Sequence, residues 1–160
     1  MSVEIIVADY TNPKHGQDLI MLLNAYAEDP MGGNEPISDY VRENLCAKLA
    51  EQASALTLLA YVDGQPAGIA NCMFGFSTFK AKPLLNVHDM AVLPEFRGRK
   101  ISHLLLTEAE RIAKDKGCCK LTLEVLQGNE VAKQSYLKFG FAGYELNPQL
   151  GCAEFWEKAL

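Results

Sequence analysis

Between Asn86 and Phe141 the order of residues leaves few folds open. Asn86-Val-His-Asp-Met-Ala-Val-Leu93 has the composition of a strand, and Pro94 stops it. Glu95-Phe-Arg-Gly-Arg-Lys-Ile-Ser102 follows as a short basic loop that opens a helix. Ile101, Leu104, Leu105 and Ile112 give that helix its apolar face, and Lys116-Gly117 ends it. Lys120-Leu-Thr-Leu-Glu-Val-Leu126 reads as the next strand, and a helix from Asn129 to Gly140-Phe141 closes the unit. A strand that feeds a helix N-terminus presents free amides and the positive end of a dipole, a setting that suits a phosphate group.

The remaining segments extend this pattern. Glu4–Ala8 reads as a strand, Gly16–Glu28 as a helix with Leu19, Ile20, Leu22 and Leu23 on one face, and Asp29–Pro36 as a loop of breakers. Ser38 is placed to cap a second helix through Val41, Leu45 and Leu49. Thr57–Val62 and Gly68–Phe79 read as strands on either side of an Asp63-Gly64 turn, with Lys80–Pro83 as a connection. Ala153–Ala159 is expected to form an edge strand. The resulting order, β-α-α-β-β-β-α-β-α-β-β, predicts an α/β fold. Its sheet is mixed, mostly antiparallel and of about seven strands, with about four helices on its two faces.

Composition narrows the function. A chain of 160 residues is most simply one domain, 1–160, and 49% hydrophobic residues suffice for a core. A net charge of −5 argues against a nucleic-acid partner. No apolar run approaches the ~20 residues that span a bilayer, so no membrane partner is expected. Five cysteines, with Cys118 and Cys119 adjacent, suggest no disulfide framework, which points to the reducing cytoplasm. The three histidines, His15, His88 and His103, lack metal-ligand spacing, so no metal is expected.

Two stretches carry a family resemblance. Arg97-Gly98-Arg99-Lys100-Ile101-Ser102 resembles the loop Arg/Gln-x-x-Gly-x-Gly/Ala of the GCN5-related N-acetyltransferases (GNAT), with Lys100 and Ser102 where glycines are usual. Asn129-x-x-Ala132-x-x-x-Tyr136-x-Lys138-x-Gly140-Phe141 follows the family's second pattern at every named place. The resemblance implies an enzyme that moves the acetyl group of acetyl-CoA to a primary amine, by direct attack on the thioester. A non-catalytic acyl-CoA-binding protein of the same fold is the alternative. The amides of Gly98, Arg99, Lys100, Ile101 and Ser102 would face the pyrophosphate, with charge from Arg97, Arg99 and Lys100. The backbone of Met90, Ala91 and Val92, together with Asn129 and Ala132, would meet the pantetheine arm. The Met90 amide would also polarise the acetyl oxygen. Tyr136 would protonate the departing thiolate.

The base and the acceptor are less constrained. The pair His88-Asp89 stands where the polyamine acetyltransferase branch has Glu-Asp, and Phe76-Ser-Thr-Phe79 is also similar to that branch. An imidazole with an ordinary pKa near ~6.5 suits proton removal. Asp89, Glu124 and a water chain stay open as alternatives. Strict alternation puts His88 on the face of Met90 and Val92, and Asp89 on the other. Glu28, Asp29, Glu35 and Asp39 form an acidic rim that would attract a cationic small-molecule amine, with Met31, Phe76 and Phe79 as apolar walls. Asp29, Phe76 and His88 are the candidate acceptor contacts. A homodimer is common in the family, and the Trp156 region is one candidate surface.

Overall fold

The computed structural model describes all residues from Met1 to Leu160. They form two compact units, Met1–Leu123 and Glu124–Leu160. The first runs β1 (Val3–Val7), α1 (Pro13–Glu28), α2 (Asp39–Ala50), β2 (Ala55–Val62), β3 (Gln65–Ser77), β4 (Lys82–Val92), α3 (Ile101–Asp115) and β5 (Leu121–Leu123). The second holds α4 (Glu130–Phe139) and the C-terminal segment. No helix is long and apolar enough to cross a membrane.

The strands lie in sequence order in one mixed sheet. The pairs from β1 to β4 are antiparallel, and β5 joins β4 in parallel. β2 and the central part of β3, from Ala67 to Cys72, are continuously buried or nearly so because helices cover both of their faces. On one face Leu19 and Leu22 of α1 and Leu49 of α2 pack on Leu59 and Ile69. Burial of each such leucine is worth roughly 1.5–3 kcal/mol. On the other face Ile101, Leu105, Leu106, Ala109 and Ala113 of α3 are buried at helical spacing. Gly68 lets α3 sit close, since a Cβ there would meet Ala91 O at 3.0 Å and Ile101 Cγ2 at 3.2 Å.

Asn12, Ser38 and Asn129 cap α1, α2 and α4 with their side chains, so Ser38 and Asn129 behave as their positions predict. Three expectations fail. The sheet has five strands, not seven, because neither strand expected after α4 forms. Ala153–Ala159 is exposed throughout, and upstream a single backbone bond, from Ala153 N to Tyr144 O (3.1 Å), stands where a ladder would begin. An edge strand has no stability without a partner, and Pro148 and Gly151 break the chain just before this segment. β5 covers Leu121–Leu123 and not Lys120–Leu126, because β4 is irregular just past its last partner, Val87. Lastly, Lys82 and Pro83 belong to β4, which shortens the expected connection to a tight turn.

Candidate active site

The end of β4 is built to leave backbone groups unpaired. Leu93 N–H donates to Ala67 O at 2.9 Å. Bonded pairs alternate along an antiparallel ladder, so Ala91 and Asp89 turn their amides toward β3. Met90 and Val92 therefore turn theirs toward the opposite edge. β5 occupies that edge only beside Leu85, Asn86 and Val87. The amides of Met90 and Val92 lie beyond it, on an edge that no strand of the sheet covers.

The loop after β4 delivers the chain to α3 without a cap. Gly98 has φ +76° and Lys100 has φ +61°, so the site of a usual glycine is left-handed although lysine fills it. Such a conformation costs a non-glycine residue about 1–2 kcal/mol. Lys100 is the residue before the first turn and makes no side-chain cap, and that turn contains no acid. Amides, dipole and the Lys100 ammonium thus gather positive charge at one helix end, and an anion would relieve it. Arg99 lies over the Phe96 ring at 5.5 Å. Arg97 points elsewhere: its Nε donates to Val92 O (3.1 Å) and its Nη2 to Asp29 Oδ2 (3.3 Å).

That contact ties the basic loop to the loop between α1 and α2. Asp29 also accepts from Met31 N at 2.9 Å, which starts a 3₁₀ turn over Pro30–Gly32. The turn folds back so tightly that a Cβ on Gly32 would lie 1.9 Å from Tyr26 O. Tyr26 stands between carboxylates: burial first, then the charges of Asp89 and Asp29, raise its phenol above the ordinary value.

His88 sits at an irregularity that sequence alternation cannot foresee. Val87 pairs with Cys72 and Asp89 with Asn71, so His88 is an extra residue, a β-bulge, and is exposed. The alternation that groups it with Met90 and Val92 breaks at this residue. Asp89 shares its face with Asn71, and a row of polar side chains runs inward from it. Asn71 Nδ2 donates to Asp89 Oδ2 (3.1 Å), Thr57 Oγ1 donates to Asn71 Oδ1 (2.7 Å), and Tyr10 Oη lies 3.0 Å from Thr57 Oγ1. Sequence reasoning missed Tyr10, Thr57 and Asn71. The signal was a threonine and an asparagine inside otherwise apolar strand runs, where a buried polar group requires a partner. Cys72, on the α3 face, has its thiol pushed up to about 12 by burial and then by the Asp89 charge, so it stays neutral.

Phe76 is not part of this gathering. It pairs with Pro83, roughly 15 Å from His88 along a strand that rises about 3.4 Å per residue. Phe76 is 62% exposed and Phe79 93%. In the second unit, Asn129 Oδ1 accepts from Ala132 N (3.3 Å), and Gly140 closes α4 with φ +115°. The Tyr136 ring packs edge-on against Phe141 at 5.9 Å. Glu124 is exposed at the start of that unit.

Comparison with known proteins accords with this geometry. The sequence matches the Acetyltransferase (GNAT) family over residues 19–141, well over half of the chain. It is 36% identical to the thialysine N-epsilon-acetyltransferase of Bos taurus over 67 residues, which is 42% of this chain and 39% of that protein. It is 34% identical to the streptothricin acetyltransferase of Streptomyces lavendulae over 113 residues, 69% of this chain and 58% of that one. The chain thus spans less than two thirds of either relative. The structure of AAC(6')-Iy in complex with the bisubstrate analogue CoA-S-monomethyl-acetylneamine superposes with a TM-score of 0.79. It covers 100% of both chains at 17% identity, which speaks for the fold alone. An unpaired β4 edge, an uncapped basic helix start and these matches lead to one assignment: the chain belongs to the GNAT acetyltransferase family.

Proposed function

We propose that this chain transfers the acetyl group of acetyl-CoA to the primary amine of a small cationic molecule, by direct attack on the thioester. One observation carries the reading: the amides at the start of α3 have no side-chain cap and stand among basic residues, directly after a strand edge with unpaired amides. Bound acetyl-CoA supplies the acetyl group as an activated thioester. The amides of Gly98 to Ser102 hold the pyrophosphate, with Arg99 and Lys100 adding charge. Arg97 joins this charge while its guanidinium remains tied to Asp29. The backbone of Met90, Ala91 and Val92 fixes the pantetheine arm as an added strand would, with Asn129 and Ala132 as further contacts. Met90 N–H stabilises the negative charge that develops on the acetyl oxygen. Tyr136 gives its proton to the departing thiolate. His88, exposed on its bulge, takes the proton that the attacking amine must lose, directly or through water.

The acceptor class rests on Asp29 and its acidic surroundings and on the relatives, whose names specify thialysine and streptothricin as acceptors. The five free cysteines support a reducing, cytoplasmic setting. Exposed Phe155 and Trp156 offer a surface for a homodimer.

The test is release of free CoA thiol from acetyl-CoA with thialysine, streptothricin, an aminoglycoside and simple diamines. Turnover with at least one amine, rising with pH as the amine loses its proton, is expected. Tight acetyl-CoA binding with no thiol release for any amine would instead mark an acyl-CoA-binding protein without transferase activity.

A further inference from the structure

The row from Tyr10 to Asp89 has a direction. Thr57 is 1% exposed and Asn71 is 7%, and no buried side-chain nitrogen or oxygen in the structure lacks a partner. Thr57, Asn71 and Asp89 are successive cross-strand neighbours on β2, β3 and β4, so their side chains line one face. An ionised carboxylate only accepts hydrogen bonds. Asn71 must therefore present its NH₂ to Asp89, which turns its carbonyl oxygen to Thr57. Thr57 spends its single proton on that oxygen and can only accept from Tyr10. Every hydrogen in the row thus points toward Asp89. The row takes up Oδ2, the oxygen to which Asn71 Nδ2 donates.

Asp89 also has a telling position. It follows the bulge at His88 and precedes Met90, whose amide lies on the unpaired edge. Its side chain lies on the face that α1 covers, where its charge reaches Tyr26 near the α1–α2 loop. A rigid, oriented carboxylate therefore stands between the thioester strand and the loop with Asp29.

We propose that Asn71, backed by Thr57 and Tyr10, is a positioning residue that aims Asp89 Oδ1 at a second, non-reacting ammonium group of the acceptor. The proposal rests on the transferase reading above and names its acceptor: an amine with a further cationic centre. A carboxylate paired with an ammonium favours the charged form. That would silence the attacking nitrogen, yet it suits a group that only anchors. The row contributes orientation, since an exposed carboxylate free to rotate would pair weakly.

The probes are 1,3-diaminopropane and 3-amino-1-propanol, which differ in whether the far end carries charge. Binding of each to the full chain is measured by calorimetry, and release of CoA thiol is followed in parallel. Asp89→Asn should weaken diamine binding roughly tenfold or more, the worth of a hydrogen bond to a charged group. Asn71→Leu should weaken it nearly as much, and Thr57→Val by a few-fold. The amino alcohol should bind all variants alike. Combining Asn71→Leu with Asp89→Asn should cost no more than Asp89→Asn alone, because the first acts through the second. Equal losses for both probes would reduce the row to a structural role, and a wild type that does not prefer the diamine would also overturn the proposal. Should Asn71→Leu fail to fold, Thr57→Val and Tyr10→Phe carry the same test with smaller steps. Diamine binding of the expected pattern without thiol release would sink the transferase reading alone. Acetyl transfer without charge discrimination would sink the anchor alone.

Discussion

α3 and α4 begin in opposite ways. α4 satisfies its own ends: Asn129 caps the first turn, Glu130 faces the positive pole, Lys138 lies in the last turn, and Gly140 takes the left-handed closing position. α3 opens on a left-handed lysine with no cap, no acid and further basic residues just before it. Local stability alone would not select that start. The contrast separates two uses of a helix. In the proposed reaction α3 contributes its backbone and its strain, so its start is left unsatisfied for a ligand. α4 contributes one side chain, Tyr136, and so can be an ordinary, well-capped helix that holds it.

That division predicts where single changes hurt most. Tyr136→Phe removes one hydroxyl and keeps the ring against Phe141. Turnover should fall by ~10²–10⁴ while acetyl-CoA affinity stays within a few-fold. Wild-type turnover, with chemistry shown to limit the rate, would return Tyr136 to packing and erase the contrast. Gly98→Glu attacks the other helix. It places a carboxylate beside the proposed pyrophosphate and should cut acetyl-CoA affinity at least tenfold by calorimetry. Gly98→Gln carries the same penalty at φ +76° without the charge and should bind far better. Equal affinities for the two would mean that strain, not an anion site, explains the loss.

The two loops joined by the Arg97–Asp29 contact differ in why they need glycine, and this difference shows how much was legible in the sequence. Ser38 and Asn129 announced their caps, because capping is local and a residue type suffices. The strand-loop-helix unit was legible for the same reason. The bulge at His88 was not, since it exists only in the pairing with β3. Nor was the row of Tyr10, Thr57, Asn71 and Asp89, whose members come from four separate segments. Arg97 and Asp29, read as serving two different ligands, turn out to touch each other. The last strands failed because composition signals a strand whether or not an edge awaits it.

Gly32 sharpens the comparison of loops. Gly98 is free of neighbours and is needed for its φ, whereas Gly32 is needed for space against Tyr26. Gly32→Ala should therefore force the Pro30–Gly32 turn off the end of α1 and destabilise the fold by about 1–3 kcal/mol, as overpacking does. Asp29 caps that turn, so KM for the amine should rise while affinity for acetyl-CoA holds. A variant with unchanged KM for the amine would separate this loop from the acceptor.

The smallest effects test the contrast most directly, because they should differ in sign. Asn129→Ala deletes the bond to Ala132 N and should cost about 1 kcal/mol in urea unfolding. Lys100→Gly should do the reverse. Glycine tolerates φ +61° without the Cβ clash, and removal of a cation from the positive helix pole adds a few tenths of a kcal/mol. Against this, glycine loses about 0.4–1 kcal/mol through the freer unfolded chain. The net should be a stabilisation of about 0.5–1 kcal/mol. Acetyl-CoA affinity should drop only a few-fold, because the amide at position 100 remains and only one charge is lost. A Lys100→Gly variant less stable than wild type would mean that the lysine is held by contacts worth more than its strain. The start of α3 would then be as self-sufficient as that of α4, and no ligand would be needed to account for it.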